Sequence, residues 1–314
     1  MKYIYYPGCS LEGTAAEYNS ATRWLMGALD VELLELEEWT CCGATAAPAV
    51  GHLLSMALPA RNLALAEKTA AGCDILVPCS ACYLNLKKVE QQIRTDATLF
   101  KKINQVLEAE ALVLHGKQKV RHLLDVLVTD IAVADIVARR RRTFENLRIA
   151  PYYGCQCLRP YAVFDDPEAP RSMEPLLAAV GAAVHPWDMG GKCCGASLIN
   201  TKPQAGIALV AALLNAARGA DAIVTVCPMC QMNLEAYQKQ ASRSVQQDLQ
   251  ISILYLPQLL GLALGASEQQ VRLDLNLCVT SYFKQKLASS RTRQGFDPGA
   301  LGEPKNATAV PPPQ

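Results

Sequence analysis

Ten of the thirteen cysteines fall into a pattern that occurs twice along the chain. A leading Gly8-Cys9 is followed by the doublet Cys41-Cys42-Gly43-Ala44 and then by Cys79-x-x-Cys82. Gly154-Cys155, Cys193-Cys194-Gly195-Ala196 and Cys227-x-x-Cys230 repeat it in the same order. The intervals agree: 31 then 36 residues in the first half, 37 then 32 in the second. Thiolates are soft ligands that select zinc or iron–sulfur clusters, and a chain of this size has no need of disulfide staples. Metal or redox chemistry is therefore the default reading.

Five repeated cysteines per half exceed the four that a tetrahedral zinc site takes, and the long intervals do not resemble a compact zinc ribbon. A Cys-x-x-Cys entering a helix, completed by cysteines on distant loops, suits an iron–sulfur cluster better. Free cysteine is also a common core residue. That reading fits Cys73, which aligns with Ala220, and Cys278, which has no counterpart, but gives no reason for the repeated set. Cys157 stands two residues beyond Cys155 and is an alternative to it as ligand.

Loops this far apart meet only if the fold brings them together. Lys2 to Tyr6, Val31 to Glu35 and Asp74 to Pro78 read as strands, as do Arg148 to Tyr153, Ala182 to His185 and Ala222 to Val226. Helices are expected at Ala15 to Leu29, opened by a Thr14-x-x-Glu17 capping box, at His52 to Ala71 and after Cys82. Met173 to Val180, Gln204 to Arg218 and Cys230 to Gln240 repeat them. Gly72-x-Asp74 and Gly219-x-Asp221 lead into what reads as the last strand of each half. The alternation predicts an α/β fold of two duplicated Rossmann-like domains with parallel sheets. Ligands of such sheets sit at the carboxyl ends of the strands, where the cysteines fall.

The predicted domains are 1–147, including linking helices, and 148–288, followed by a disordered tail over 289–314. Within the link, Val120 to Ala138 reads as one helix with a stripe of Leu124, Leu127, Ile131 and Ala134, packed across both domains. Arg139 to Arg142 reads as a solvated helix end. A net charge of +1 leaves no electrostatic footprint for nucleic acid. The apolar run Leu256 to Gly265 is too short to span a bilayer and contains Pro257. Residues 1–7 lack the pattern of a signal peptide, so a cytoplasmic protein is expected.

The motifs Tyr5-Tyr6-Pro7-Gly8-Cys9-Ser10-Leu11, Trp39-Thr40-Cys41-Cys42-Gly43-Ala44, Cys79-Ser80-Ala81-Cys82-Tyr83 and Cys155-x-x-x-Arg159-Pro160 resemble the cysteine-rich CCG domain family, and within it the B subunit of heterodisulfide reductase. The resemblance covers about residues 1–265. It implies one noncubane [4Fe–4S] cluster per half, held by Cys9, Cys41, Cys42, Cys79 and Cys82 and by Cys155, Cys193, Cys194, Cys227 and Cys230. It further implies reduction of a disulfide, or thiol oxidation in reverse, beside a ferredoxin-like iron–sulfur partner, the C subunit of such complexes, and a flavoprotein, their A subunit. Two members of the same family offer alternatives: a sulfur-oxidising complex acting on a protein-bound lipoyl sulfur, and an electron-transfer subunit of a succinate or fumarate reductase.

Overall fold

The computed structural model describes residues 1–70 and 72–292. The first half runs β1 (Lys2–Tyr5), α1 (Gly8–Glu12), α2 (Ala16–Ala28), β2 (Glu32–Glu35), α3 (Ala47–Val50), α4 (His52–Thr69), β3 (Ile75–Val77), α5 (Ser80–Thr95), α6 (Ala97–Leu107), β4 (Val120–His122), α7 (Leu123–Thr129) and α8 (Val133–Arg139). After a short β5 (Arg142–Thr143), the second runs β6 (Arg148–Tyr152), α9 (Glu174–Ala179), β7 (Ala183–Val184), α10 (Pro203–Ala216), β8 (Ala222–Thr225), α11 (Pro228–Ala236), α12 (Gln238–Val245), β9 (Ser252–Tyr255) and α13 (Leu256–Leu264). α14 (Ser281–Ala288) and β10 (Arg291–Thr292) follow.

Two four-stranded sheets have the orders β2-β1-β3-β4 and β7-β6-β8-β9, with every neighbouring pair parallel. This is one α/β topology used twice, as the duplication predicts. The strand order reverses between β1 and β3, and between β6 and β8, which opens a crevice at their carboxyl ends. Strands β3, β8 and β9 are buried along their whole length, as expected where helices cover both faces of a parallel sheet. The Gly-x-Asp motifs lie at the opposite, amino ends of β3 and β8. There Asp74 pairs with Arg121 at 3.5 Å and Asp221 with Lys286 at 2.8 Å.

Several expectations are corrected. Val120 to Ala138 is not one helix: Val120–His122 is the fourth strand of the first sheet, and α7 and α8 are separated by residues 130–132. Each Gly-x-Asp strand is thus third of four. The Thr14 capping box does not form, because α1 intervenes and Ala15 is the N-cap of α2 with no side-chain bond. The helix expected over Cys230 to Gln240 breaks at Tyr237 into α11 and α12. Leu256 to Gly265, too short to span a bilayer, forms the buried core helix α13. The tail, expected to be disordered from 289, begins with β10 paired antiparallel to β5. Residues 293–314 lie outside those described.

The two sheets share one core. A single cluster of buried side chains runs from Tyr3 and Leu25 through Leu124 to Leu259 and Phe283, and a smaller one lies under α10. α13 of the second half packs on α2 of the first, and α8 of the first packs on α9 of the second. The arginine run, expected to be solvated, anchors this exchange. Arg139 donates to the Ala28 carbonyl at the end of α2 and pairs with Asp30, both at 2.7 Å; Arg140 donates to the Ala179 carbonyl at the end of α9, 2.8 Å away. Cations there meet the negative end of each helix dipole.

Candidate functional site

Each leading cysteine follows the first strand of its sheet, each doublet lies on the loop after the second, and each Cys-x-x-Cys joins the third strand to a helix. The structure brings all five repeated thiols of each half together, in the same pairwise order. Cys9 Sγ lies 4.0 Å from Cys41 Sγ, and the Cys42 thiol lies 3.5 Å from that of Cys82, which also neighbours the Cys79 thiol. In the second half the free thiol of Cys155 neighbours that of Cys193, and the thiol of Cys230 neighbours those of both Cys194 and Cys227. Cys42, Cys79, Cys82, Cys194, Cys227 and Cys230 are buried, whereas Cys9, Cys41 and Cys193 are exposed and Cys155 is half-buried. Both sites therefore have a closed floor and an open rim. Among the described residues, no three His, Cys, Asp or Glu side chains are arranged to hold a single metal ion.

The local geometry is repeated as faithfully as the cysteines. Gly8 and Gly154 turn the chain out of β1 and β6 with φ of +72° and +70°, which L side chains rarely adopt. A Cβ on Gly8 would stand 2.8 Å from Cys82 Sγ, and one on Gly154 would stand 3.1 Å from Cys230 Sγ. Glycine thus lets the leading loop pass over the last thiol. The backbone N–H groups of Gly43 and Gly195 each point at the first thiol of their doublet, Cys41 and Cys193, at 3.4 Å. Tyr6 and Tyr152 donate at 2.8 Å to the carbonyls of Thr40 and Lys192, the residues just before each doublet. Trp39 and Trp187 pack edge-on against those same tyrosines.

The thiols are polarised toward ligation. Hydrogen bonding with Cys82 holds the Cys42 thiol down at about 7, and hydrogen bonding with Cys230 lowers Cys194 in the same way. Cys82 and Cys230, each shared by two neighbouring thiols, are pushed well up. The Cys155 bond lowers Cys193 to about 6, with help from the Arg159 charge. Burial, with Cys41 nearby, raises Cys9 to about 11. A soft cation entering either site meets thiols of which some ionise near neutrality.

Cys157 is not among these contacts; its buried thiol donates to the Tyr153 carbonyl at 3.1 Å. Cys73 and Cys278 are half-buried, and Cys278 donates to the Glu235 carbonyl at 3.5 Å. Two residues escaped the sequence reading. Asn85 and Asn233 donate to the carbonyls of Cys42 and Cys194 at 3.0 and 2.7 Å and pin each doublet to the helix carrying the last cysteine. Both stand three residues beyond that cysteine, and this shared spacing was the available signal.

A family model described as a cysteine-rich domain matches residues 3–87 and again residues 149–235. The chain belongs to the cysteine-rich (CCG) domain family. Over nearly its whole length it is similar to subunits of two kinds of reductase. One relative is the 8-methylmenaquinol:fumarate reductase membrane anchor subunit of Wolinella succinogenes, 32% identical and covering 88% of this chain and 96% of that one. A protein of Archaeoglobus profundus named as like the heterodisulfide reductase B subunit is 28% identical, covering 89% and 95%. The B subunit of the ferredoxin:CoB-CoM heterodisulfide reductase of Methanosarcina mazei is 25% identical, covering 89% and 95%. Among solved structures, a hypothetical protein from Helicobacter pylori shares the fold with a TM-score of 0.71 at 15% identity. The match covers 90% of this chain but 52% of that one, so this chain spans about half its length. No helix among the described residues is long and apolar enough to cross a membrane.

Proposed function

We propose that this chain is the cluster-bearing subunit of a heterodisulfide reductase-type oxidoreductase, with one noncubane [4Fe–4S] cluster in each half. The proposed ligands are Cys9, Cys41, Cys42, Cys79 and Cys82 in a unit spanning 1–147, and Cys155, Cys193, Cys194, Cys227 and Cys230 in a unit spanning 148–288. The observation that carries this is the thiol pairing, first with second, third with fifth and fourth with fifth, repeated in two sites built from sulfur alone. Such a donor set fits a soft, multi-iron group. Such clusters supply one electron at a time, and splitting a disulfide takes two, which a duplicated site can meet. The protein's part is to hold the sites. Gly43 and Gly195 offer N–H groups to sulfur, Asn85 and Asn233 fix the doublets, and the buried floors exclude water while Cys9, Cys41 and Cys193 leave the rims open to a substrate or partner. The proposed partners are a ferredoxin-type iron–sulfur protein in the role of the C subunit and a flavoprotein in that of the A subunit. Anaerobically isolated protein should contain about eight irons with matching acid-labile sulfide; stoichiometric zinc with little iron would reject the reading.

A second reading is favoured by the 32% identity to the Wolinella fumarate reductase subunit. On that reading the same two sites pass electrons between a quinol and a flavoprotein partner, and no sulfur substrate is bound. The complex isolated with its native partners separates the two. Disulfide-dependent oxidation of a reduced viologen supports the first, and quinol-dependent fumarate reduction supports the second.

A further inference from the structure

The floors of the two sites meet where Tyr18, with His122 beside it, reaches the backbone ahead of both Cys-x-x-Cys loops. Tyr18 in α2 is fully buried, and its hydroxyl lies 3.0 Å from the Pro78 carbonyl oxygen and 3.1 Å from that of Val226. These residues immediately precede Cys79 and Cys227, so each carbonyl belongs to the peptide group whose nitrogen is the cysteine's own. One phenolic O–H, its single proton shared between the two carbonyls, thus serves two ligand loops that leave different sheets. Its ring is fixed by stacking on Tyr255, with centroids 4.1 Å apart and planes 6° apart.

The duplication makes this arrangement interpretable. Tyr18 stands nine residues after Cys9, and Phe164 stands nine after Cys155; Tyr255 ends β9, and His122 ends β4. Phe164 and His122 are stacked as well, 6.2 Å apart with planes 5° apart. The two aromatic pairs are therefore the same contact made twice across the halves. Phe164 has no hydroxyl to offer, and the polar role on that side passes to His122. The Leu124 N–H donates to His122 Nδ1 at 3.1 Å, which leaves the ring proton on Nε2. Nε2 lies 3.2 Å from Ser80 Oγ, and Ser80 donates in turn to the Val226 carbonyl at 3.1 Å. Val226 accepts from both Tyr18 and Ser80. Tyr18 alone of those two hydroxyls reaches both ligand loops.

We propose that Tyr18 is a positioning residue that tunes both clusters together, an inference that rests on the cluster-bearing reading above. A donor on a carbonyl draws electron density from the peptide group and from the cysteine joined to it, and this favours the added electron of a reduced cluster. Loss of the Tyr18 hydroxyl then moves both potentials to more negative values. The Ser80 hydroxyl serves the Val226 carbonyl and lies within reach of the Cys227 thiol, both on the second ligand loop, so its loss moves the potential of the second cluster.

The test uses full-length protein isolated anaerobically, as wild type, Tyr18→Phe and Ser80→Ala. Iron is counted per chain, and both clusters are titrated with electron paramagnetic resonance detection, their signals assigned through Cys41→Ser and Cys194→Ser. Tyr18→Phe keeps the ring and its stack, so the expected result is wild-type iron with both midpoints more negative, and Ser80→Ala shifting one. Iron retained with one midpoint moved, or neither, overturns the inference and leaves the cluster reading standing. If Tyr18→Phe loses iron, equal loss from both halves supports the shared tie and loss from one half overturns it. Wild-type protein without iron overturns this inference and the cluster reading together.

Discussion

Gly8→Ala tests whether the leading loop is shaped by the thiol beneath it. The φ of +72° costs an alanine about 1–2 kcal/mol. Its Cβ would also lie 2.8 Å from Cys82 Sγ. Cys82 sits in the first turn of α5, so its thiol moves only by leaving its rotamer, at roughly 0.5–1.5 kcal/mol. The total of about 1.5–3.5 kcal/mol is a fraction of the 5–15 kcal/mol that holds a typical domain, so the variant should fold. Melting should fall by several degrees, and iron should drop from about eight to about four per chain with the second cluster retained. Two other glycines separate the conformational cost from the contact. Gly72 has φ of +88° with nothing within 4 Å of a Cβ, so Gly72→Ala should lose stability and keep its iron. Gly154→Ala meets Cys230 Sγ at 3.1 Å and should lose less iron, from the second site only. Inductively coupled plasma iron analysis and circular-dichroism melts on the three variants decide the matter. Full iron in Gly8→Ala, or equal iron loss in Gly72→Ala, would refute the reasoning.

Cys41→Ser and Cys194→Ser should each remove one cluster and spare the other, while Cys73→Ser keeps both; spectra and iron counts that fall together in either ligand variant would contradict two separate ligand sets. Asn85→Ala and Asn233→Ala should slow cluster reconstitution in their own half, read as the rate of regained visible absorbance, because each leaves a doublet carbonyl without its donor. Glu17 is buried, and burial raises its carboxyl from an ordinary 4.5 to about 7. A raised folded pKa means that its contribution to stability is complete below about 4.5 and is lost as pH rises through 7. The wild type should therefore lose up to about 3 kcal/mol relative to Glu17→Gln between pH 5 and pH 8; parallel melting curves across that range would contradict it.

The cysteine repeat made the duplication, the parallel α/β class and the convergence of three loops per half legible before any coordinates, because a repeated ligand pattern has no packing explanation. The fourth strands were not legible for local reasons. Val120-Arg121-His122 has one β-branched residue and runs into Leu123, Leu124 and Leu127, whose spacing dominates any helical reading of the window. The strand exists because β3 has a free edge and the Ile75-Leu76-Val77 backbone pairs with it, a tertiary cause that periodicity cannot report. The capping box failed for the same reason. Thr14-x-x-Glu17 has the right spacing, but the turn leaving α1 takes the backbone at Thr14, and Glu17 is buried instead.

The duplicated ligand sets suggest two independent domains, whereas the packing joins them. α13 packs on α2 and α8 on α9, so each half lends the other a helix from beyond its fourth strand. The arginine ties to Ala28 and Ala179 and the paired aromatic stacks obey the same exchange. A half taken alone would expose the apolar faces of α2 and α13, which argues against either folding by itself. The arrangement places the buried floors of both sites, Cys79 and Cys227, against one interface and leaves Cys9, Cys41 and Cys193 on the outer rims. On the proposed reading, ligation is local to each half while the polarity around the inner ligands is common property. That would hold two one-electron sites in a fixed relation to one another for a two-electron reaction.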